Sequence, residues 1–174
     1  MYVFVTGFMA SGKTKNGRIA AQSLGWAFRD LDQLIEQEQG ATINEVFERL
    51  GEAGFRRLEL DTLQRHTRSD DQRVVFSLGG GSYTDPTIRQ HCRQKGITVF
   101  LDTPVGILYR RLLRKKQTRP LLRDLDAGPL LQTILRLHRQ RLDDYHKADV
   151  VLSNYTGTAR DRLLLRRVIG QVAP

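Results

Sequence analysis

The sequence predicts an α/β fold in which a mostly parallel sheet is covered by helices on both sides. Short apolar segments alternate with amphipathic ones along the 174 residues, two of the apolar segments run directly into glycine-rich loops, and no repeat or linker divides the chain. Strands joined through helices form right-handed crossovers and parallel sheets, which bind ligands beyond the carboxyl ends of their strands. We therefore expect a single domain over residues 1–174, with functional residues in the loops after strands.

The first elements alternate in a regular order. Residues 2–6 are apolar, β-branched or aromatic up to a final threonine, which is typical of a buried strand, and residues 13–24 carry apolar side chains at helical spacing up to Gly25. Residues 26–28 then predict a second short strand, and residues 31–39 predict a helix.

Capping signals indicate where the next helices begin. Thr42 and Glu45 form a capping box, which satisfies free backbone N–H groups at a helix start, so a helix begins there and continues to residue 50. Helical spacing resumes over residues 52–68. Asp85-Pro86 and Thr103-Pro104 each place a cap residue before a proline at the first helical position, and they predict two further helices.

Three strands, a loop and a helix complete the predicted order. Residues 74–76, 98–101 and 149–152 are strand-sized apolar segments, and the first of these runs into a glycine-rich loop. Residues 117–128 break the helical periodicity with proline, glycine and basic residues, which favours a lid-like loop. Residues 130–145 are again helical.

Composition excludes several classes of protein. Hydrophobic residues make up 40% and charged residues 27% of the chain, which is ordinary for a globular protein and argues against disorder or a coiled coil. The apolar segments are far shorter than the roughly 20 residues that span a bilayer, so we expect no membrane segment. No signal-peptide pattern follows Met1, which favours the cytoplasm. The single cysteine, Cys92, excludes an internal disulfide and a cysteine-rich zinc site, and we expect it to be a packing residue.

The net charge of +9 indicates anionic ligands. Basic residues concentrate in residues 110–123 and 160–167, without an RNA-binding aromatic motif or a basic zipper. Small anions and a solvated basic face therefore explain the charge more simply than nucleic acid does.

Residues 7–14, with the sequence GFMASGKT, match the phosphate-binding motif G-x-x-x-x-G-K-[ST]. The motif lies between a predicted strand and a predicted helix, so its backbone N–H groups and the helix N-terminus can face phosphate oxygens. Lys13 would reach the β- and γ-phosphates, and Thr14 would supply a hydroxyl to Mg²⁺. The motif predicts nucleotide binding, but it does not separate a kinase from a GTPase or an ATP-driven machine.

Asp30 and Asp32 offer two carboxylates near the phosphate-binding loop. Two residues apart on an extended segment, their side chains would point the same way. One carboxylate could order the water around Mg²⁺ while the other accepts a proton from an attacking hydroxyl. The alternative is that one of them only caps a helix.

Further residues suit an acidic ligand. Arg56 and Glu59 lie three apart on one helical face, where Glu59 can orient the guanidinium towards a carboxylate, although a surface ion pair is the alternative. The run Gly79-Gly80-Gly81 would let backbone approach a ligand, or it is merely a loose turn. Arg119, in the predicted lid, and Arg141 are candidate anion clamps, or solvated surface groups.

Six motifs, in their order and spacing over nearly the whole chain, resemble those of the shikimate kinases. They are Gly7 to Thr14, Asp30-x-Asp32, Phe55-Arg56-x-x-Glu59, Gly79-Gly80-Gly81, Arg119-Pro120-Leu121-Leu122 and Arg141-x-x-x-Tyr145. The resemblance implies a three-layer P-loop kinase fold with a five-stranded parallel sheet flanked by helices. It also implies a small helical substrate-binding region at about residues 31–63 and a lid at about residues 112–126.

The resemblance implies that the protein uses ATP and Mg²⁺ to phosphorylate the 3-hydroxyl of shikimate, a step towards chorismate and the aromatic amino acids. The implied catalytic residues are Asp32 as the base, Lys13 and Arg119. The implied ATP site comprises Ala10, Ser11, Gly12, Lys13, Thr14, Lys15, Arg111, which would stack on adenine, and Arg119. The implied shikimate site comprises Asp32, Arg56, Gly79, Gly80, Gly81 and Arg141, and the metal would be held by Thr14 and, through water, by Asp30. At position 15 the family commonly has Ser or Thr where this chain has Lys15.

Two other functions remain open from the sequence. A related small-molecule kinase, such as a gluconate kinase, would have a similar phosphate-binding loop but would not need Arg56, Arg141 and the Arg119-Pro120 motif together. A non-catalytic P-loop protein could instead use its basic residues to bind nucleic acid. The kinase hypothesis expects ATP and shikimate as ligands, no nucleic acid or membrane partner, and a monomer.

Overall fold

A computed structural model of the chain describes residues 1–69, 73–114 and 127–171. Its centre is a sheet of five strands, all parallel, in the order β2-β3-β1-β4-β5. The strands are β1 (Tyr2–Thr6), β2 (Ala27–Asp30), β3 (Val74–Ser77), β4 (Gly96–Leu101) and β5 (Val150–Leu152). Val3 of the central strand lies opposite Val75 on one side and Ile97 on the other. The parallel sheet and its five strands confirm the predicted fold class.

Helices cover both faces of the sheet. They are α1 (Lys13–Ser23), α2 (Leu31–Gln39), α3 (Ile43–His66), α4 (Pro86–Lys95), α5 (Val105–Leu113), α6 (Ala127–Tyr145) and α7 (Ala159–Gln171), and a short 3-10 helix spans Ser82–Thr84. Among these seven helices of the described residues, α7 was not predicted, and α3 was predicted as two helices, one ending at residue 50 and one over residues 52–68. Within the described ranges, no helix is long and apolar enough to cross a membrane.

Side-chain alternation along the strands gives the sheet two different faces. One face is rich in aromatic rings, and it packs under helices α2 to α6; its rings include Tyr2, Phe4, Phe76 and Phe100. The other face is aliphatic, and it packs under α1 and α7; its side chains include Val3, Val5, Val75 and Val99. Burial on both faces explains why the strands read as nearly continuous apolar segments rather than as alternating ones.

Two of the predicted helix caps are present and one is wrong. Asp85 accepts hydrogen bonds from the backbone N–H groups of Thr87 and Ile88 at 2.8 and 3.1 Å, and the capping box of α3 is complete. Thr103 does not cap α5, because Pro104 itself occupies the N-cap position. The Thr103 hydroxyl instead donates to the Ser11 carbonyl oxygen at 3.4 Å, which links β4 to the phosphate-binding loop.

Helix α3 is kinked at Gly51. This residue has φ 65° and ψ 178°, a combination that is essentially restricted to glycine. The kink separates the half of α3 that begins at the capping box from the half that carries Arg56 and Glu59. The angle between the two halves of α3 therefore depends on a residue without a side chain.

We expect Gly51→Ala to lower the free energy of unfolding by about 1–3 kcal/mol, because alanine strains the backbone at this φ and ψ. A Cβ at position 51 would meet nothing within 4 Å, so the loss would come from backbone strain rather than from a clash. Gly106→Ala is the matched control: its Cβ would also meet nothing, but it lies in regular helix, where alanine is favoured by about 0.5–1 kcal/mol. Urea titrations of both variants test this, and equal stability would contradict it.

Candidate active site

The phosphate-binding loop curls at the N-terminal end of α1. Gly7 has φ 142°, Ala10 has φ 63° and Gly12 has φ 100°, so three of its residues have left-handed backbone conformations. A Cβ at Gly7 would lie 2.9 Å from the Leu101 carbonyl oxygen, and one at Gly12 would lie 2.6 Å from the side-chain nitrogen of Asn16. The two glycines are therefore required by both conformation and space.

Lys13 and Thr14 begin α1 inside this loop. The Lys13 side chain is largely buried, and its ammonium donates to the carbonyl oxygens of Gly7 and Phe8 at 2.8 and 3.0 Å. The Thr14 hydroxyl donates to Asp30 Oδ2 at 2.7 Å and lies 3.4 Å from the Ser77 hydroxyl. Asp30 and Ser77 are paired positions of β2 and β3, which places both at this point. Hydroxyl and carboxylate oxygens are the hard donors that suit Mg²⁺, so the donor set fits this ion.

Asp30 caps a helix, which is one of the two alternatives that the sequence left open, and it also bonds to Thr14. One of its oxygens accepts from the Gln33 backbone N–H and caps α2, while the other accepts from Thr14. Asp32 lies in the first turn of α2, so the expectation that the two aspartates share one extended segment is wrong. Both nevertheless line the cavity beside the phosphate-binding loop, because α2 begins at the end of β2.

This first cavity has a volume of about 440 Å³. Apart from Asp30 and Asp32, its charged and amide side chains are Lys13, Lys15, Asn16, Arg111 and Arg114. Lys15 is exposed. The Arg111 guanidinium donates to the carbonyl oxygens of Ala10 and Ser11 at 2.9 and 3.3 Å, and also to that of Thr156. Arg111 thus ties the phosphate-binding loop to the loop after β5, and stacking on adenine stays a prediction.

Ser11 is held inside the loop. Its backbone N–H donates to the Phe8 carbonyl oxygen at 3.1 Å, and its buried hydroxyl has no hydrogen-bond partner among the residues that the structure describes. Contact between Ser11 and a nucleotide, like that of Ala10, Gly12 and Lys15, stays a prediction.

A second, smaller cavity of about 100 Å³ adjoins the first. Its lining contains all six of the residues expected to bind an acidic substrate, namely Asp32, Arg56, Gly79, Gly80, Gly81 and Arg141. Four of the remaining lining residues are apolar, namely Met9, Ile43, Phe47 and Phe55, and the fifth is Glu59. Two arginines, one from α3 and one from α6, thus line a partly apolar cavity that is large enough only for a small molecule.

The three glycines after β3 are not a loose turn. A Cβ at Gly79 would lie 2.7 Å from the Ser82 hydroxyl, and one at Gly80 would lie 3.1 Å from the backbone nitrogen of Met9. A Cβ at Gly81 would clash with the Arg56 guanidinium. Each position is therefore closed to a side chain by a different neighbour.

Arg56 is oriented by a buried carboxylate rather than by a surface pair. Glu59 is bonded to the Arg56 guanidinium and accepts from the Ser82 hydroxyl, and its side chain is only 1% exposed. Glu52 forms a weaker pair with the same guanidinium at 3.3 Å. The pKa of Glu59 is raised to about 7, chiefly by burial and to a lesser extent by the nearby Asp32 carboxylate, while Arg56 and Ser82 act in the opposite direction.

Arg141 is held in place by contacts with Gly80 and Phe8. Its guanidinium donates to the Gly80 carbonyl oxygen at 3.1 Å and lies 5.7 Å from the centre of the Phe8 ring. The Tyr145 hydroxyl donates to the same carbonyl oxygen. Arg141 is therefore not simply solvated, and its link to Tyr145 explains the spacing of the Arg141-x-x-x-Tyr145 motif.

The two cavities meet at three residues that line both, namely Met9, Asp32 and Gly80. Asp32 thus lies between the phosphate-binding loop and the pair of arginines. A group bound in the smaller cavity and a phosphate bound in the larger one would both be within reach of its carboxylate.

Part of the expected site falls outside the described residues, and part of the observed site was not expected. Arg119 and most of the predicted lid, residues 115–126, lie outside the described residues. No sequence pattern pointed to Ser77, Asn16 or Gly157, which belong to no recognised motif and reach the site through the fold. Among the described residues, no group of three or more His, Cys, Asp and Glu side chains could hold a metal ion. Cys92 is buried, which raises the pKa of its thiol.

Known proteins resemble the chain in both sequence and structure. The family model for shikimate kinase matches residues 9–170. A shikimate kinase from Chlorobium chlorochromatii is 41% identical over 155 residues, which are 86% of this chain and 80% of that protein. The crystal structure of shikimate kinase from Bacteroides thetaiotaomicron superposes with a TM-score of 0.88 at 31% identity, covering 98% of this chain and 97% of that one.

Two more solved structures resemble the chain. A shikimate kinase from Acinetobacter baumannii in complex with shikimate has a TM-score of 0.85 at 34% identity, covering 98% of this chain and 92% of that one. A gluconokinase from Sinorhizobium meliloti has a TM-score of only 0.57 at 19% identity, covering 98% and 94%, which is a likeness of fold alone. Because the family model spans nearly the whole sequence and the relatives agree with it, the chain belongs to the shikimate kinase family.

Proposed function

We propose that this protein transfers the γ-phosphoryl group of ATP to the 3-hydroxyl of shikimate with the help of Mg²⁺. The observation that carries the proposal is the junction of the two cavities at Asp32, with a phosphate-binding loop on one side and two arginines on the other. Phosphoryl transfer needs a nucleotide and an acceptor hydroxyl in adjoining sites, and this arrangement supplies them.

The lining of the smaller cavity supports a small cyclic hydroxy acid as the acceptor. Arg56 and Arg141 can both donate to one carboxylate, and arginine does so with two parallel N–H groups. Phe47, Phe55 and Ile43 provide an apolar surface for the carbon ring. Asp32 and the backbone of Gly79 to Gly81 can bind ring hydroxyls. A cavity of about 100 Å³ suits a small molecule better than a nucleic-acid backbone.

The proposed chemistry assigns a role to each charged group near the junction. Asp32 accepts the proton of the substrate hydroxyl while that oxygen bonds to phosphorus and ADP leaves. Lys13 and, from the family resemblance, Arg119 stabilise charge on the phosphate oxygens. Thr14 and, through water, Asp30 would hold Mg²⁺. When bound, this ion supplies positive charge that offsets the negative charge of the phosphates.

The same geometry supports the remaining expectations. The sheet, its loops and the helices α2, α3 and α6 together line the two cavities, which favours a single domain that is active as a monomer, with α2 and α3 as the substrate-binding region. ATP as the phosphate donor is also in keeping with the expected cytoplasmic location.

Incubation of the purified protein with ATP, MgCl₂ and shikimate should yield shikimate 3-phosphate and ADP, detected by mass spectrometry, whereas gluconate should yield little product. Asp32→Asn should lower kcat by about 10²- to 10⁴-fold, the usual contribution of a general base. Asp61→Asn changes an exposed carboxylate on the outside of α3 and is the matched control. Phosphorylation of gluconate in preference to shikimate would refute the proposed substrate.

Arg56→Ala should raise the KM for shikimate by on the order of 100-fold, the loss expected for a charged hydrogen-bond partner, with a smaller effect on kcat. Uniform binding of the carboxylate in the ground and transition states explains this division. Arg57→Ala is the control, because the neighbouring Arg57 side chain is exposed and is not among the residues that line the cavity. Steady-state kinetics test the prediction, and an unchanged KM would refute the role of Arg56.

Glu59→Gln should change how stability depends on pH. Because the folded-state pKa of Glu59 is raised to about 7 from 4.5, the protonated carboxyl stabilises the fold below pH 4.5, and this contribution is lost as the pH rises to about 7. The free energy of unfolding of the wild type, minus that of the variant, should therefore fall between pH 4.5 and 7. Guanidinium titrations at several pH values measure it, and a difference that rises over this range would show the opposite pKa shift.

A further inference from the structure

The Gly80 carbonyl oxygen has two hydrogen-bond donors from the same helix. Arg141 donates to it at 3.1 Å, and the Tyr145 hydroxyl, one helical turn later on α6, donates to it as well. Gly80 lines both cavities, so its carbonyl oxygen lies close to the junction between them.

The two donors differ in what else they can do. Arg141 lines the smaller cavity and can turn its N–H groups towards a ligand there. Tyr145 is completely buried and lines neither cavity, and its ring stacks on Phe100 with 5.0 Å between ring centres. A substrate carboxylate would therefore compete with the Gly80 carbonyl for Arg141, but not for Tyr145.

We propose that Tyr145 is a positioning residue whose hydroxyl satisfies the Gly80 carbonyl and thereby leaves Arg141 available for the carboxylate of the substrate. This inference depends on the proposed function, in which Arg141 binds that carboxylate. A partly buried carbonyl that loses a donor keeps the donor that remains, so without the Tyr145 hydroxyl the Gly80 oxygen would retain Arg141 and weaken acid binding.

The surroundings of Tyr145 keep its hydroxyl a donor. Burial raises the pKa of Tyr145 to about 12, although the charge of Arg141, its hydrogen bond to the Tyr145 hydroxyl and the charge of Arg56 act in the opposite direction, so the hydroxyl keeps its proton at any pH at which the enzyme would be assayed. Stacking on Phe100 fixes the ring and does not depend on the hydroxyl. Replacement by phenylalanine thus removes the donor to Gly80 and the contact with Arg141, and it leaves the packing in place.

A second buried tyrosine provides the matched control. The Tyr155 side chain is 1% exposed, and its hydroxyl has no hydrogen-bond partner within residues 1–69, 73–114 and 127–171. Tyr155→Phe therefore makes the same chemical deletion at a buried ring without the loss of a hydrogen bond in the described structure.

Tyr145→Phe should weaken shikimate binding about 3- to 10-fold, the range expected for one hydrogen bond, both as a KM and as a Kd from isothermal titration calorimetry. The kcat and the KM for ATP should stay within about twofold, because the variant acts on the acid carboxylate alone. Tyr155→Phe should leave all of these values unchanged. A merely structural role of Tyr145 would lower thermal stability and affect both substrates together.

Two further measurements test whether Tyr145 acts through Arg141. In an Arg141→Ala background, Tyr145→Phe should no longer change the KM for shikimate, because the competing donor has been removed. With the methyl ester of shikimate, which lacks the negative charge, the effect of Tyr145→Phe should fall to less than twofold. Additive effects in the double variant, or an equal effect on the ester, would overturn the proposal.

Replacement of Tyr145 by 4-aminophenylalanine keeps an N–H donor in the same place and secures the test if Tyr145→Phe folds poorly. The KM for shikimate of the 4-aminophenylalanine variant should lie between the KM values of the wild type and of Tyr145→Phe. If Tyr145→Phe cannot be measured, the KM of the 4-aminophenylalanine variant should be modestly above that of the wild type. A wild-type KM in the Tyr145→Phe variant would overturn this inference alone. Absence of shikimate phosphorylation by the wild type would overturn the proposed function and this inference with it.

Discussion

The close approach of Gly80 to the phosphate-binding loop is the contact on which the arrangement of the site depends. A Cβ at position 80 would lie 3.1 Å from the backbone nitrogen of Met9, so a side chain there would require the end of β3 or the loop after β1 to shift. These strands are neighbours in the sheet, and the crossover connections bring their carboxyl ends to one edge. The two cavities meet at this contact, because Met9 and Gly80 line both of them, and Asp32 reaches the same place from the first turn of α2.

Charge burial is the main energetic cost of the site. Glu59 is placed in the interior, where a carboxylate is costly, and is compensated by Arg56 and by the Ser82 hydroxyl. Such a pair rarely stabilises a fold more than apolar residues would. Its benefit is geometric, because a guanidinium fixed by a buried carboxylate loses little conformational freedom when it binds a second anion. The raised pKa of Glu59 indicates that part of the cost remains.

The sequence predicted what local chemistry determines, and less of what the fold brings together. The phosphate-binding loop was predictable because phosphate contact requires glycines and a lysine at fixed positions, and the buried strands were predictable from their apolar character. Asp32 was expected on an extended segment, but it lies in the first turn of a helix and still lines both cavities. Thr103 was assigned to a cap that Pro104 occupies. Ser77 joins Thr14 and Asp30 only through the pairing of β2 and β3, which no spacing along the chain reveals.

The two faces of the sheet divide the molecule into regions with different freedom to vary. The two arginines of the smaller cavity come from α3 and α6, which lie over the aromatic face of the sheet. Helix α7 covers the aliphatic face on the other side. Substitutions under α7 can therefore alter stability while a full thickness of backbone separates them from the arginines. Substitutions among the rings beneath α6 are not separated from the site in this way, because Phe100 stacks directly on Tyr145 of α6. Among descendants of such a chain, the aliphatic layer should accumulate differences faster than the aromatic one.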